Sequence, residues 1–406
     1  MAFNEAVTVN PPVALRRGDT YGFVDMDSVS PGARYVGAVE QRIFEGGGAR
    51  FMHGDTLMAR ITPCLENGKI ARFRGTTSDE VAFGSTEFIV IRGRPGITDN
   101  DFAYYLTRWD YVRGYAISQM TGSSGRLRVP TSALSQLNVA IPPLPVQRRI
   151  ARILGALDDK IELNRKMNET LEQMCRAIFK SWFVDFEPVR DKGMVDSELG
   201  MIPKGWEVKA LGDVATVIKG RSYSSDELQP SKVALVTLKS FNRGGGYRAD
   251  GLKSFTGEFK PEHAIRPGEV VISFTDVTQA AEVIGRPAIV RASSDYDTLV
   301  ASLDVGIIRP NQTFLSAPFF YCLLSAQDFT DYILGYVNGT TVLHLDKQGI
   351  LSYRFAYPPT SVAQAFADIA VPAFARIDAN ESESRTLAAI RDALLPKLMS
   401  GEIEVM

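Results

Sequence analysis

Pro142-Pro143-Leu144-Pro145-Val146-Gln147-Arg148-Arg149-Ile150-Ala151-Arg152-Ile153-Leu154-Gly155-Ala156-Leu157-Asp158-Asp159-Lys160-Ile161-Glu162-Leu163-Asn164 opens a run whose apolar residues recur at alternating steps of three and four. Val146, Ile150, Ile153, Leu157, Asn164, Met167, Leu171, Met174 and Ile178 hold that seam, with Lys160 at the one skipped place. A period near 3.5 predicts a single long helix whose stripe faces another helix. Over residues 146–183 such a helix would run about 55 Å at 1.5 Å per residue, more than one adjoining domain of about 140 residues can cover.

The partner stripe lies in the same chain. Displaced by 216 residues, 127–183 aligns without a gap on 343–399. Pro142-Pro143 falls on Pro358-Pro359, Val146 on Val362, Ile153 on Ile369, Ile161 on Ile377, Asn164 on Asn380, Thr170-Leu171 on Thr386-Leu387 and Ala177 on Ala393. The second stripe is Val362, Phe366, Ile369, Ala373, Ile377, Asn380, Leu387, Ile390 and Leu394. The two stripes most simply bury each other, with Asn164 and Asn380 at equivalent places to fix the register. Pro372 is expected to kink or start the second helix, since proline lacks the amide proton and crowds the preceding turn.

Upstream, the likeness is weaker but keeps its order. Gly54-Asp55-Thr56-Leu57-Met58 resembles Gly268-Glu269-Val270-Val271-Ile272, and Gly122-Ser123-Ser124 resembles Gly339-Thr340-Thr341. A period above 200 residues is too long for a solenoid and means two copies of one module, each a mixed domain followed by a long helix. Segments 57–61, 69–73 and 87–91 read as strands in the first copy, and 234–238, 269–274 and 305–308 in the second. Helices are expected at 99–113, capped by Asp99 or Asn100, and at 317–324. Residues 187–205 are charged and bear glycines, as a connection would. The second module opens with Leu211-Gly212-Asp213-Val214, and the first shows no clear copy of that opening.

Composition narrows the class. The 406 residues are 45% hydrophobic and 23% charged, with a formal net charge of −2, as in a folded domain protein. No apolar stretch approaches the ~18 residues of a membrane span, and no secretory signal opens the chain. Cys64, Cys175 and Cys322 lie far apart, which fits a reducing cytoplasm, and neither they nor His53, His263 and His344 have metal-ligand spacing. There is no phosphate-binding GxxxxGK[ST] loop. Asn10-Pro11-Pro12-Val13 resembles the Asn-Pro-Pro-aromatic loop of adenine methyltransferases. It lacks the ring that stacks on a flipped base, and no FxGxG loop accompanies it. A proline-rich turn is the simpler reading, and the chain is expected to be no enzyme.

The residues 142–162, the Leu211-Gly212-Asp213-Val214 opening and the closing Leu394-Leu395-Pro396-Lys397-Leu398-Met399-Ser400-Gly401-Glu402-Ile403 resemble type I restriction–modification specificity subunits, over essentially the whole chain. The resemblance implies an α+β protein with two repeated target-recognition domains joined by two long helices forming an antiparallel coiled coil. Its parts would be a first recognition domain at 1–143, the central helix at 144–187, a linker at 188–205, a second recognition domain at 206–357 and the distal helix at 358–406. Each domain would read one half of a bipartite asymmetric site in double-stranded DNA, while the helices set the spacer and dock two methyltransferase subunits, joined by restriction–translocase subunits. No cofactor is implied for this chain. S-adenosylmethionine would belong to the methyltransferase, and ATP and Mg to the restriction subunit. A non-catalytic two-domain scaffold that binds proteins through the coiled coil, and not DNA, is the alternative.

Residues 1–143 hold fourteen Arg and one Lys against fourteen acids, a sum of +1. Arginine is nonetheless the side chain suited to guanine O6 and N7. Candidate readers lie on two loops per domain, where polar side chains can vary without disturbing a core. The first domain offers Arg60, Thr62, Asn67 and Lys69, then Ser123, Ser124, Arg126 and Arg128. The second offers Thr275, Asp276, Thr278 and Gln279, then Thr340, Thr341 and His344. The Ser and Thr among them would serve equally well as turn formers.

Overall fold

The computed structural model describes residues 1–122, 125–278, 280–311 and 314–405. They form two units, Met1–Lys166 with Asn380–Met406, and Met167–Ala379. Each long helix therefore contributes to both.

In the first unit Thr56–Ala59 is buried along its whole length, and it lies antiparallel between Phe88–Gly93 and Ile70–Phe73. Val7–Val9 and Tyr35–Val36 complete a five-stranded sheet. Alternate residues serve opposite faces. Met58, Ile89 and Ile91 face a core shared with Phe102, Tyr105, Leu154 and Leu398. Leu57 and Val90 face a second core, with Val24 and Phe51 of a four-stranded sheet. The second unit repeats the plan. Val270–Ser273 lies antiparallel between Val305–Pro310 and Pro287–Ile289. Val233–Val236 runs parallel to Thr298–Ala301, as Thr20–Val24 does to Val81–Gly84. The expected strands are present with shifted ends.

The helix expected at 99–113 is two helices, Asn100–Arg108 and Asp110–Ser118, because Trp109 between them is extended at ψ 131°. Asp99 caps the first, accepting from the amides of Asp101 and Phe102 at 3.0 and 3.2 Å. The first module also has the opening that its sequence hides. Phe3–Ala6 is a single turn in which Glu5 accepts from the Ala2 amide at 3.1 Å, leading into Val7–Val9. Leu211–Val214 is the same turn, with Asp213 accepting from the Ala210 amide at 2.9 Å before Ala215–Lys219. The bridge Ala2 to Asn138 matches Ala210 to Arg354.

The long helices are Leu144–Phe179, prolonged by a π-turn at Lys180–Val184, and Thr360–Ser400. In the first unit they run antiparallel, since Asp158 meets Arg391 and Asn164 meets Asn380. The buried face is rotated from the expected seam. Ile153, Met174, Ile369 and Ile390 stay 36–43% exposed, while Leu154, Asp158, Cys175, Phe179, Ala370, Phe374, Arg391 and Leu395 are buried. Each helix is covered from two sides, by its partner helix and by a recognition-domain helix. Tyr105 donates to Asp158 at 2.7 Å, and Tyr321 packs edge-on to Phe374 at 5.4 Å. The apolar face therefore centres between the two contacts and not on the helix pair alone. Pro372 does not start the second helix, which begins at Thr360 and is unbroken there. Both Pro372 and Asp368, whose carbonyl loses its donor, are exposed, so water can take the place of the missing amide. The 187–205 connection holds a hairpin, Met194–Ser197 with Gly200–Pro203.

Candidate nucleic-acid interface

In the first unit the strand leaving Thr56–Ala59 meets the segment after the Gly122 loop. The Arg60 amide donates to the Glu87 carbonyl at 2.9 Å, and the Val129 amide donates to the Arg60 carbonyl at 2.8 Å. Ile61 bridges Arg128, and the Thr62 amide donates to Leu127 at 3.0 Å. The second unit repeats this pattern with other side chains. The Phe274 amide donates to Asp304 at 2.7 Å, and Leu345 donates to the Phe274 carbonyl at 2.8 Å. Thr275–Asp276 pairs with Leu343–Leu345, placing Thr275 opposite His344. Both candidate loops are thus side by side in each unit, and Arg60 and Phe274 fill one backbone slot.

The side chains differ in how far the protein itself engages them. Arg128 grips Glu87 through three hydrogen bonds of 2.7–3.0 Å, and that carboxylate raises its pKa. The Lys69 ammonium donates to the Met26 carbonyl at 2.8 Å. Thr62 donates to Glu66 at 3.0 Å. Asn67 and Arg126 are exposed. In the second unit the Thr275 hydroxyl donates to Asp304 at 2.9 Å. Asp276 is buried, and burial opposes its charge. Four donors from Thr278, Val283 and Ile284 at 2.7–3.2 Å outweigh burial and hold the carboxyl below the usual range. Thr340, Thr341 and His344 are exposed. Ser123, Ser124 and Gln279 lie outside the described residues.

Sequence reading overlooked Arg50 and Thr86. Both line a cleft of about 450 Å³ with Arg60, walled by Pro12, Val13 and Phe88. The signal was the triple glycine before Arg50. Gly48 has φ +72°, and a Cβ there would sit 2.6 Å from the Gly84 carbonyl, so only glycine fits. Asn10 forms the floor at φ +48°. Its amide donates to the Val90 carbonyl at 2.7 Å, and its Oδ1 accepts from the Val90 amide at 2.9 Å. The Asn-Pro-Pro segment thus ends a sheet.

Residues 67–173 and 203–387 match the family described as type I restriction modification DNA specificity domain. The chain belongs to the type I restriction–modification specificity subunits. Among such subunits, MjaIX of Methanocaldococcus jannaschii is 30% identical over 316 residues, 75% of this chain and 69% of its own. The HindI specificity subunit of Haemophilus influenzae is 25% identical over 414 residues, 86% of each chain. The S subunit structure from M. genitalium shares the fold at a TM-score of 0.52 and 15% identity, covering 98% of this chain and 95% of that one. A specificity subunit supplies DNA recognition and no catalysis, and as such needs no cofactor of its own. Among the described residues no helix is long and apolar enough to cross a membrane.

Proposed function

We propose that residues 1–143 and 206–357 are independent readers, each recognising one half of a bipartite asymmetric site in double-stranded DNA. The helices at 144–187 and 358–406 set the number of unread base pairs and dock two methyltransferase subunits, with restriction–translocase subunits joining them in the cytoplasm. S-adenosylmethionine then belongs to the methyltransferase, and ATP and Mg to the restriction subunit. The observation that carries this reading is the repeated backbone slot. Two modules use the same hydrogen bonds to bring two loops together, yet they fill those loops with unrelated side chains, as two readers of unrelated sequences require. The near-neutral charge of the first domain fits a division in which phosphate contacts come largely from partners and base choice from these loops.

The test is an exchange. Residues 1–143 are replaced by a foreign recognition domain in a complex co-expressed with its methyltransferase, and methylated sites are sequenced. One half-site should change and the other persist. If both changed, or neither did, the readers would not be independent.

A further inference from the structure

Most arginines of the first domain are engaged within the protein. Arg34 and Arg72 hold Asp101, Arg92 holds Asp55 through two hydrogen bonds of 2.6 and 2.7 Å, and Arg113 holds Asp110. Arg50 and Arg60 are different. Among the described residues neither guanidinium has a hydrogen bond or a carboxylate partner, and the Arg60 Nε is buried without an acceptor. Arg34, Arg94 and Arg113 also have a buried Nε without an acceptor, but each is held through a terminal nitrogen. Among the described residues Arg60 has no such hold, and it lines a cleft where an acceptor from outside can reach it. Glu87, whose backbone carbonyl accepts from the Arg60 amide, has its carboxylate gripped by Arg128, and Asp55, five positions before Arg60, is held by Arg92.

The duplication shows that this arginine is not required by the fold. Phe274 fills the same slot in the second unit, and its ring is buried against Gly306, where any side chain would run into it. The residue matching Gly306 in the sheet pairing is Ile89, which is fully buried. Its bulk takes the space that the ring would use, and position 60 lines the cleft instead. One module thus holds an apolar side chain inward, and the other holds an unpaired cation on an open cleft.

The lining combines two guanidiniums and the Thr86 hydroxyl with the apolar surface of Pro12, Val13 and Phe88, and includes no carboxylate. That chemistry suits a planar ligand with acceptors on one edge. Guanine presents O6 and N7 in the major groove, the geometry that a guanidinium meets with two parallel hydrogen bonds. We propose that this cleft reads a guanine in the half-site of the first domain, with Arg60 as the reading residue and Arg50, held over the Phe44 ring at 5.0 Å, as its support. The proposal rests on the two-reader function above.

The experiment uses the full chain in complex with its methyltransferase, carrying Arg60→Ala, Arg60→Lys or Arg50→Ala. Methylated sites are sequenced, and binding is measured on duplexes varied at each position and at several salt concentrations. Arg60→Ala should make one guanine of one half-site degenerate, losing on the order of 10- to 100-fold in discrimination there. The other half-site, unchanged, reports that the complex is folded. Arg60→Lys should keep the charge and lose part of the discrimination, because an ammonium lacks the planar fork that fixes two parallel hydrogen bonds to O6 and N7. Unaltered sequence preference in Arg60→Ala would overturn the proposal. So would a uniform weakening on all sequences with a shallower salt dependence, which marks a phosphate contact. A first half-site containing no guanine would overturn it as well, while leaving the two-reader function standing. A wild-type complex without bipartite preference would overturn that function itself.

Discussion

Asp276 shows what a single residue does at these loops. Its carboxylate gathers the amides of Val283 and Ile284 and both donors of Thr278 into one turn, next to the candidate readers Thr275 and Thr278. Asp276→Asn puts a donor where donors already point and should cost about 1–3 kcal/mol. Hydrogen exchange at Val283 and Ile284 should rise, while that at Val271 stays unchanged. The carboxyl is depressed below its ordinary 3.8, so its stabilisation is complete above that value and is lost as pH falls through the lower folded one. Acid titration of the variant should therefore show a flatter fall in stability below about pH 4 than the wild type does. The sequence displayed Arg60, Arg128 and Asp276 alike as polar loop residues. Their separation into engaged and free depends on partners such as Glu87, which lies 41 positions from Arg128, and no local pattern carries that.

The helix packing uses two chemistries for one geometry. In the first unit Asp158 receives the Tyr105 hydroxyl at 2.7 Å and Arg391 at 2.6 Å, with both charged side chains under 5% exposed. In the second unit the repeat places Phe374, Tyr321 and Cys175 at the positions of Asp158, Tyr105 and Arg391, and all three sit in one apolar core. Asp158→Ala leaves a buried guanidinium short of its partner and should cost roughly 3–5 kcal/mol. Combining Asp158→Phe with Arg391→Cys, the set already tolerated in the other module, should lose much less. Thermal unfolding of the single and double variants measures the contrast, and equal losses would show that the charges are not the determinant. The heptad pattern made the helices legible, along with the register that Asn164 fixes on Asn380 at 3.2 Å. It misplaced the buried face because a period describes a stripe and not the number of surfaces that will cover it. The first opening turn escaped for a related reason. Phe3-Asn4-Glu5-Ala6 and Leu211-Gly212-Asp213-Val214 share only an apolar–x–acid–apolar pattern, too short to stand out without the strand pairing that follows.

Across the whole chain, the duplication was legible because one long gapless alignment anchored it, and the mixed domains could be traced outward from that anchor. If the helices are the ruler between half-sites, their length is testable without touching either reader. One heptad inserted after Lys166 and one after Ala379, where the two units meet along each helix, keep the seam in phase. Each adds about 10 Å, against ~3.4 Å per base pair, so the unread spacer should grow by roughly three base pairs, or fewer if the helices lie oblique to the duplex. Methylome sequencing should find both half-sites unchanged. An active complex with the original spacer would remove the helices from that role.

The first unit closes only with residues 380–406, whose Leu395, Leu398 and Met399 share a core with Phe3 and Leu154, whereas the second unit is one continuous stretch. On a ribosome, the upstream reader must therefore wait for a segment made only after the second unit. At the usual 5–20 residues per second, the N-terminal half stays incomplete for roughly 10–40 s while the whole second unit emerges and can fold. Nascent chains stalled beyond the exit tunnel just after Ala379 should already protect residues 206–357 from protease while leaving 1–143 open to cutting. Premature termination between residues 380 and 395 should spare the second unit and damage the first, so that a lesion downstream of both readers falls on the upstream one.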